Sequence, residues 1–335
     1  MSFRAKTLAL WLLAVVIVAL STQTSAIADG TRYRDEIFST TVTSNIAYGQ
    51  APDENGVQVT LLLDLYQPSG DTAPSRPAFI WIHGGGFTDG DKASYFDADK
   101  ASTFAKRGYV AISINYRLRP GHYFVEGDPE LAAAVLDAQH DAQAAVRWLR
   151  ANASTYRIDT SRIAVAGYSA GAITSLQVAY NSSDPGDSGN PGYPSDVFAC
   201  LEVSGGMDTT LMDAGEPPAL VVHGTADERV AYHNALDVVA RASEVGVRVE
   251  FHPIDGAGHD VWSAHSTEII GWMSNFLWHL IDPYAVGGLA EAPEVAGVSH
   301  DGSRGRPIGL EIAEALTLIA ACGYIGRSAI RRQRR

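Results

Sequence analysis

Residues 167–172 read GYSAGA and directly follow the apolar run RIAVA. The run has the character of a buried strand, and AITSLQVAY after it suits a helix. A chain passing from strand to helix in so few residues must bend sharply at Ser169. Side chains larger than hydrogen at Gly167 and Gly171 would collide in that bend. The hydroxyl of Ser169 is thereby held out at the edge of a sheet and at a helix N-terminus, the geometry of a nucleophile elbow. A serine hydroxyl attacks a carbonyl well only when a base takes its proton, and histidine is the expected base. The negative oxygen that develops needs hydrogen-bond donors already in place.

Donors are offered by His83-Gly84-Gly85-Gly86-Phe87, which follows the apolar run AFIWI. Successive glycines let the backbone approach a ligand with its N–H groups exposed. The N–H groups of Gly85, Gly86 and Ala170 are assigned to the oxyanion site, and His83 and Gly84 to support of the loop. The base is assigned to His259 in GAGHDVW, a glycine-flanked loop after the last strand-like run. His252 sits within a strand pattern, and His265 and His279 within a helical one. The acid that orients His259 is assigned to Asp227 in HGTADERV, ahead of its rivals Asp255, Asp260 and Asp208. No Cys/His spacing suggests a metal site, and the chemistry calls for no cofactor.

These residues need a scaffold. Strand-like runs occupy residues 57–68, 78–83, 109–117, 162–167, 199–204, 219–224 and 247–254, with a weaker one at 37–49. Most are continuously apolar, as in strands covered on both faces. Helical stripes at 130–151, 230–246 and 264–281 alternate with them. The pattern predicts one α/β domain over residues 29–282, a mostly parallel eight-stranded sheet with helices on both faces. A turn at residues 52–56 makes the first two strands an antiparallel hairpin.

The ends lie outside that domain. Residues 1–28 have a basic start, an apolar stretch and Ala26-Ile27-Ala28, which predicts a secretory signal peptide and a secreted, extracellular or envelope-associated protein. Residues 283–307 have linker composition. Residues 308–335 are an apolar stretch ending in Arg-rich sequence. Around Ala313-Glu314-Ala315 this tail resembles a bacterial exosortase-type sorting signal in which both prolines are replaced. Contact with a membrane or a sorting enzyme is expected there. The chain of 335 residues holds 25 basic and 38 acidic residues, a net charge of −13, which repels phosphate backbones and argues against nucleic acid as a partner. Two cysteines, Cys200 and Cys322, provide no disulfide framework, and Cys200 reads as a buried thiol.

Taken in order, HGGGF, NYRL (115–118), GYSAG, HGTADERV and GAGHDVW resemble an α/β-hydrolase esterase over about residues 40–280. The likeness is nearest to hormone-sensitive-lipase-like and bacterial acetyl- or feruloyl-esterase groups. It implies the α/β-hydrolase fold without a large cap domain. It also implies acyl-enzyme hydrolysis of short-chain, acetyl or feruloyl-type esters, with polysaccharide esters included. Tyr168 and Ala172 depart from the hormone-sensitive-lipase pattern and favour the small-ester or carbohydrate-ester branch. Loops 117–130 and 181–196 are expected to rim the pocket, and Phe87, Tyr123, Phe124, Tyr168 and Trp262 to line it. The rival readings are a prolyl-oligopeptidase-like peptidase and a non-catalytic binding protein of the same fold. The oligomeric state is not readable.

Overall fold

A computed structural model describes residues 32–122 and 128–282. The signal-peptide, linker and tail segments lie outside the described residues, as do Tyr123 and Phe124. Eight strands form one sheet: β1 (Thr40–Pro52), β2 (Gln58–Pro68), β3 (Arg76–Ile82), β4 (Val110–Ile114), β5 (Ile158–Tyr168), β6 (Ala199–Val203), β7 (Ala219–Gly224) and β8 (Val249–Ile254). Their spatial order is β1-β2-β4-β3-β5-β6-β7-β8. β1 and β2 form the expected antiparallel hairpin, and β2 also runs antiparallel to β4. From β4 to β8 every pairing is parallel. At the hairpin turn, the Asp53 carboxylate accepts from the N–H groups of Asn55 and Val57, an Asx-type closure.

Strands covered on both faces have to be apolar on both. β3 shows this: Ala78, Ile80 and Ile82 face one core, while Phe79 and Trp81 face the other. Helices α2 (Pro129–Ala151), α4 (Ala170–Tyr180) and α5 (His233–Val245) cover the first face, with the one-turn α3 (Ala153–Tyr156) beside them. Helices α1 (Tyr95–Lys106) and α6 (Trp262–Ile281) cover the second. The α2 stripe of Ala134, Ala138, Ala142, Ala145, Val146 and Leu149 is buried as its spacing predicts. Asp128 caps that helix, with Pro129 at its first position. No helix among the described residues is long and apolar enough to cross a membrane.

Three elements differ from the sequence reading. Helix α1 was not expected. It is announced only by Ser94, whose hydroxyl accepts from Asp97 N, and by the buried stripe Ala101, Phe104 and Ala105. The strand run placed at 162–167 begins earlier, since β5 takes in Asp159-Thr160-Ser161, where the register against β3 shifts between Arg76 and Ala78. Asp159 folds back on Ser161 N there and makes a local bulge. The 109–117 run ends as a strand at Ile114.

Beyond Ile114 the chain enters a buried ionic network. Arg117 donates from its backbone N–H, Nε and Nη2 to Asp141, and Ser188 Oγ adds a further donor at 2.6 Å. Arg119 pairs with Glu130 and Asp137. Burial pushes the Asp141 carboxyl up, and the Arg117 and Ser188 donors pull it back toward the ionised form. Removing one member strands the other charge in the interior. Asp141→Ala is therefore expected to cost about 3–5 kcal/mol of stability, measured as a lowered urea midpoint. A loss below about 1 kcal/mol would contradict a buried, essential pair.

Candidate active site

The carboxyl ends of β5, β7 and β8 bring three distant residues together. At the end of β5 Ser169 has φ 55° and ψ −119°, left-handed backbone that a non-glycine residue adopts only under constraint. Close approach explains the flanking glycines. A Cβ on Gly167 would lie 2.2 Å from Gly171 O, and one on Gly171 would lie 2.1 Å from Ile82 O. The elbow is fixed by Ser169 N–H, which donates to Val203 O on β6 at 2.9 Å.

Ser169 Oγ lies 2.8 Å from His259 Nε2, and His259 Nδ1 lies 2.7 Å from Asp227 Oδ2. The tautomer that satisfies both contacts has the proton on Nδ1: the hydroxyl donates to Nε2 and Nδ1–H donates to the carboxylate. Asp227 is fully enclosed, while His259 keeps 16% of its side chain exposed. Asp227 Oδ1 is occupied by the N–H groups of Arg229 and Val230. The two loops are tied by Ala226 N–H on Ala257 O. The carbonyl of His259 accepts from Tyr168 OH, Ser204 Oγ and Val261 N–H, which fixes the imidazole's position along the chain. Burial pushes the Tyr168 phenol up to about 12, so it remains a donor across the neutral range.

The rival acids have other work. Asp208 caps the turn at Thr210, Asp260 bonds Ser263, and Asp255 accepts from Thr225 Oγ1. None of these contacts involves His259.

The His83–Gly86 loop runs beside the elbow. A Cβ on Gly84 would lie 3.4 Å from Ser169 Cβ. Gly85 has φ 111°, and a Cβ there would strike Asp89 O at 1.9 Å. Among the described residues, the N–H groups of Gly85, Gly86 and Ala170 meet no protein acceptor, while the Gly85 carbonyl closes the turn onto Thr88 and Asp89. His83 is fully buried, and burial pushes its imidazole down, so it is neutral. Its Nδ1–H donates to Gly84 O at 2.6 Å, a loop-holding bond.

Sequence reasoning missed how this loop is held. NYRL entered only as part of a resemblance, yet residues 115–119 bind the chain from His83 to Lys92 at three points. Tyr116 OH donates to His83 O at 3.0 Å, and its ring stacks on His83. Asn115 Oδ1 accepts from Lys92 N, and Arg119 N–H donates to Phe87 O. The signal available was a tyrosine and an amide directly after a buried strand.

Several lining assignments are corrected. Phe87 and Trp262 are each 2% exposed and belong to the two cores. Phe87 turns inward against Tyr116, and Trp262 packs on Trp81 and Phe96. Tyr168 is the half-buried aromatic at the site. Arg117 and Arg119 serve the ionic network beneath the loop. In loop 181–196, Ser188 and Asn190 are bound to β1 and α2 through Gln50, Asp141, Tyr48 and Ala144. A cavity of about 530 Å³ between that loop and the β1–β2 hairpin contains no residue of the Ser169 site.

One buried group nearby has no role yet. Glu202 on β6 is fully enclosed, accepts from Gly205 N–H at 2.8 Å, and is pushed up to about 8 by burial. Between about pH 4.5 and 8 the folded protein retains a proton that the unfolded chain has released. Stability therefore falls as pH rises through that window. Glu202→Gln removes this dependence. Urea unfolding at pH 5 and pH 8 is expected to show the variant gaining on the parent protein at the higher pH; an equal difference at both values would refute the assignment.

Comparison with known proteins places similar sequence at the same motifs. Residues 63–196 match the BD-FAE family, and residues 180–282 match the prolyl oligopeptidase family. The medium-chain fatty acyl-CoA hydrolase precursor of Anas platyrhynchos is 33% identical over 34% of this chain and 20% of its own length. Phenmedipham hydrolase of Pseudarthrobacter oxydans is 36% identical over 36% of this chain and 23% of its own. Esterase LipC of Mycobacterium tuberculosis is 25% identical over 64% and 58%. The chain thus spans less than two thirds of the length of these curated relatives. In structure, Est2 of Thermogutta terrifontis in its propionate-bound form superposes with a TM-score of 0.59 at 23% identity, covering 73% of this chain and 96% of that one. A truncated carbohydrate esterase from gut microbiota superposes with a TM-score of 0.60 at 21% identity, covering 73% and 97%.

Proposed function

We propose that this chain, which has the α/β-hydrolase fold, is a serine carboxylic-ester hydrolase working through an acyl-enzyme. The observation that carries the reading is the serial contact of Ser169, His259 and Asp227 beside three N–H groups that meet no acceptor among the described residues. As the Ser169 oxygen bonds to the ester carbonyl carbon, its proton passes to His259 Nε2. The carbonyl oxygen becomes an oxyanion, held by the N–H groups of Gly85, Gly86 and Ala170. Collapse breaks the ester C–O bond, and His259 gives its proton to the departing alcohol. Water then attacks the acyl-serine, passes its proton to His259, and the acid leaves with Ser169 restored. Asp227 holds the Nδ1–H tautomer and stabilises the imidazolium formed in each half.

The substrate class we assign is short-chain, acetyl or feruloyl-type esters, including esters carried on polysaccharide. Support comes from the absence of a cap domain among the described residues, from the BD-FAE match, and from neighbours that are a propionate-bound esterase and a carbohydrate esterase. Residues 1–28 are assigned as an export signal and residues 308–335 as an anchoring or sorting tail. The second reading, a prolyl-oligopeptidase-like peptidase, is favoured by the match over residues 180–282.

Purified protein assayed on p-nitrophenyl esters of increasing chain length, acetylated xylan, feruloylated sugars and prolyl peptides separates these readings. Turnover of short p-nitrophenyl esters is expected, with Ser169→Ala and His259→Ala each lowering kcat on the order of 10⁶-fold. Undiminished turnover by the Ser169→Ala protein overturns the proposal. Cleavage of prolyl peptides in preference to all esters supports the second reading.

A further inference from the structure

HGTADERV supplies Asp227, but its first residue has no part in the chemistry above. His223 on β7 is fully buried. Its Nε2 lies 2.9 Å from Val230 O and 3.3 Å from Asp227 Oδ2. Both neighbours are acceptors, so Nε2 carries the proton and Nδ1 presents a lone pair. Among the described residues, that buried Nδ1 has no hydrogen-bond partner, and neither has the buried Oε1 of Glu202.

We propose that His223 is a positioning residue of this site: its Nε2–H, shared between Val230 O and the Asp227 carboxylate 3.3 Å away, holds the carboxylate that orients His259. The proposal rests on the hydrolase reading. Burial favours the neutral imidazole this needs, pushing His223 down. The groups facing His223 are Val230 and Asp227 from its own loop, His259 from the loop before α6, and the Tyr232 ring, 6.0 Å away, at the start of α5.

Nitrogen-15 NMR of the imidazoles in the intact protein reads the arrangement directly. Near pH 7 His223 is expected with Nε2 protonated and Nδ1 bare; an Nδ1-protonated ring or an imidazolium overturns the proposal. In kinetics on p-nitrophenyl acetate, His223→Ala is expected to lower kcat about tenfold, the scale of one hydrogen bond to a charged group, with KM unchanged. Without that donor the Asp227 charge is less dispersed and stabilises the His259 imidazolium more. The acidic limb of the kcat/KM profile therefore moves to higher pH. His223→Gln, with an amide N–H near the Nε2 position, is expected to restore most of both losses. An unmoved limb in His223→Ala, or a change in KM alone, overturns the proposal. If the Ala variant does not fold, the Gln variant and the NMR of the parent protein decide it. Ester turnover unaffected by Ser169→Ala sinks the hydrolase reading instead, and the NMR result separates that failure from this one.

Discussion

One backbone conformation governs the rest of the structure. Ser169 is held at positive φ between a strand and a helix, where a non-glycine residue costs on the order of 1–3 kcal/mol. It persists because the surroundings leave no alternative. Val203 O on β6 takes its N–H, its own carbonyl takes Ile173 N–H to begin α4, and Gly171 sits against the Ile82 carbonyl at the end of β3. That last contact places the elbow where the β3 chain leaves the sheet. The loop bearing Gly85 and Gly86 must therefore pass beside the hydroxyl.

Behind the hydroxyl the site is closed. Ser169 is itself buried, His259 keeps only part of its ring exposed, and Asp227 is sealed in. A sealed carboxylate is costly unless its lone pairs are used. The Arg229 and Val230 N–H groups, His259 Nδ1–H and His223 Nε2 surround this one. The same rule holds beneath the oxyanion loop. There Asp141 is enclosed and met by Arg117 and Ser188, and the segment leading to Arg117 carries Tyr116. Each side of the site thus rests on a buried carboxylate, Asp227 or Asp141, whose oxygens meet several donors.

Legibility in the sequence followed the range of the interactions involved. Strands such as AFIWI and ALVVHG were readable because burial on both faces leaves unbroken apolar runs. GYSAGA was readable because the bend constrains residues two apart. Asp227 and His259 were placed by chain order and loop composition, and the structure brings both to Ser169. The supporting groups were not legible. Asp141 lies on a helix where a carboxylate ordinarily faces solvent, and its partner Arg117 is 24 positions away. Phe87 and Trp262 were taken for pocket walls because sequence shows an aromatic ring without its direction. Helix α1 was hidden by Asp97, Asp99 and Lys100 in its first turns, where only Ser94 and a short Ala/Phe stripe mark it.

The same contrast bears on how such a site tolerates change. In the proposed site, the loop bearing Gly85 and Gly86 offers N–H groups rather than side chains. Its precision must then come from elsewhere. Tyr116, Asn115 and Arg119 all approach it from one short segment after β4, and that segment is anchored through Arg117 to α2. A displacement of α2 would reach the Gly85 and Gly86 N–H groups through two hydrogen-bonded links. Donors aimed at a developing charge work only when their orientation is set before the charge appears. The buried ion pair is therefore better understood as fixing the direction of those donors than as a contributor of net stability, since a hydrophobic replacement of similar shape can match such a pair in stability but holds no loop in register.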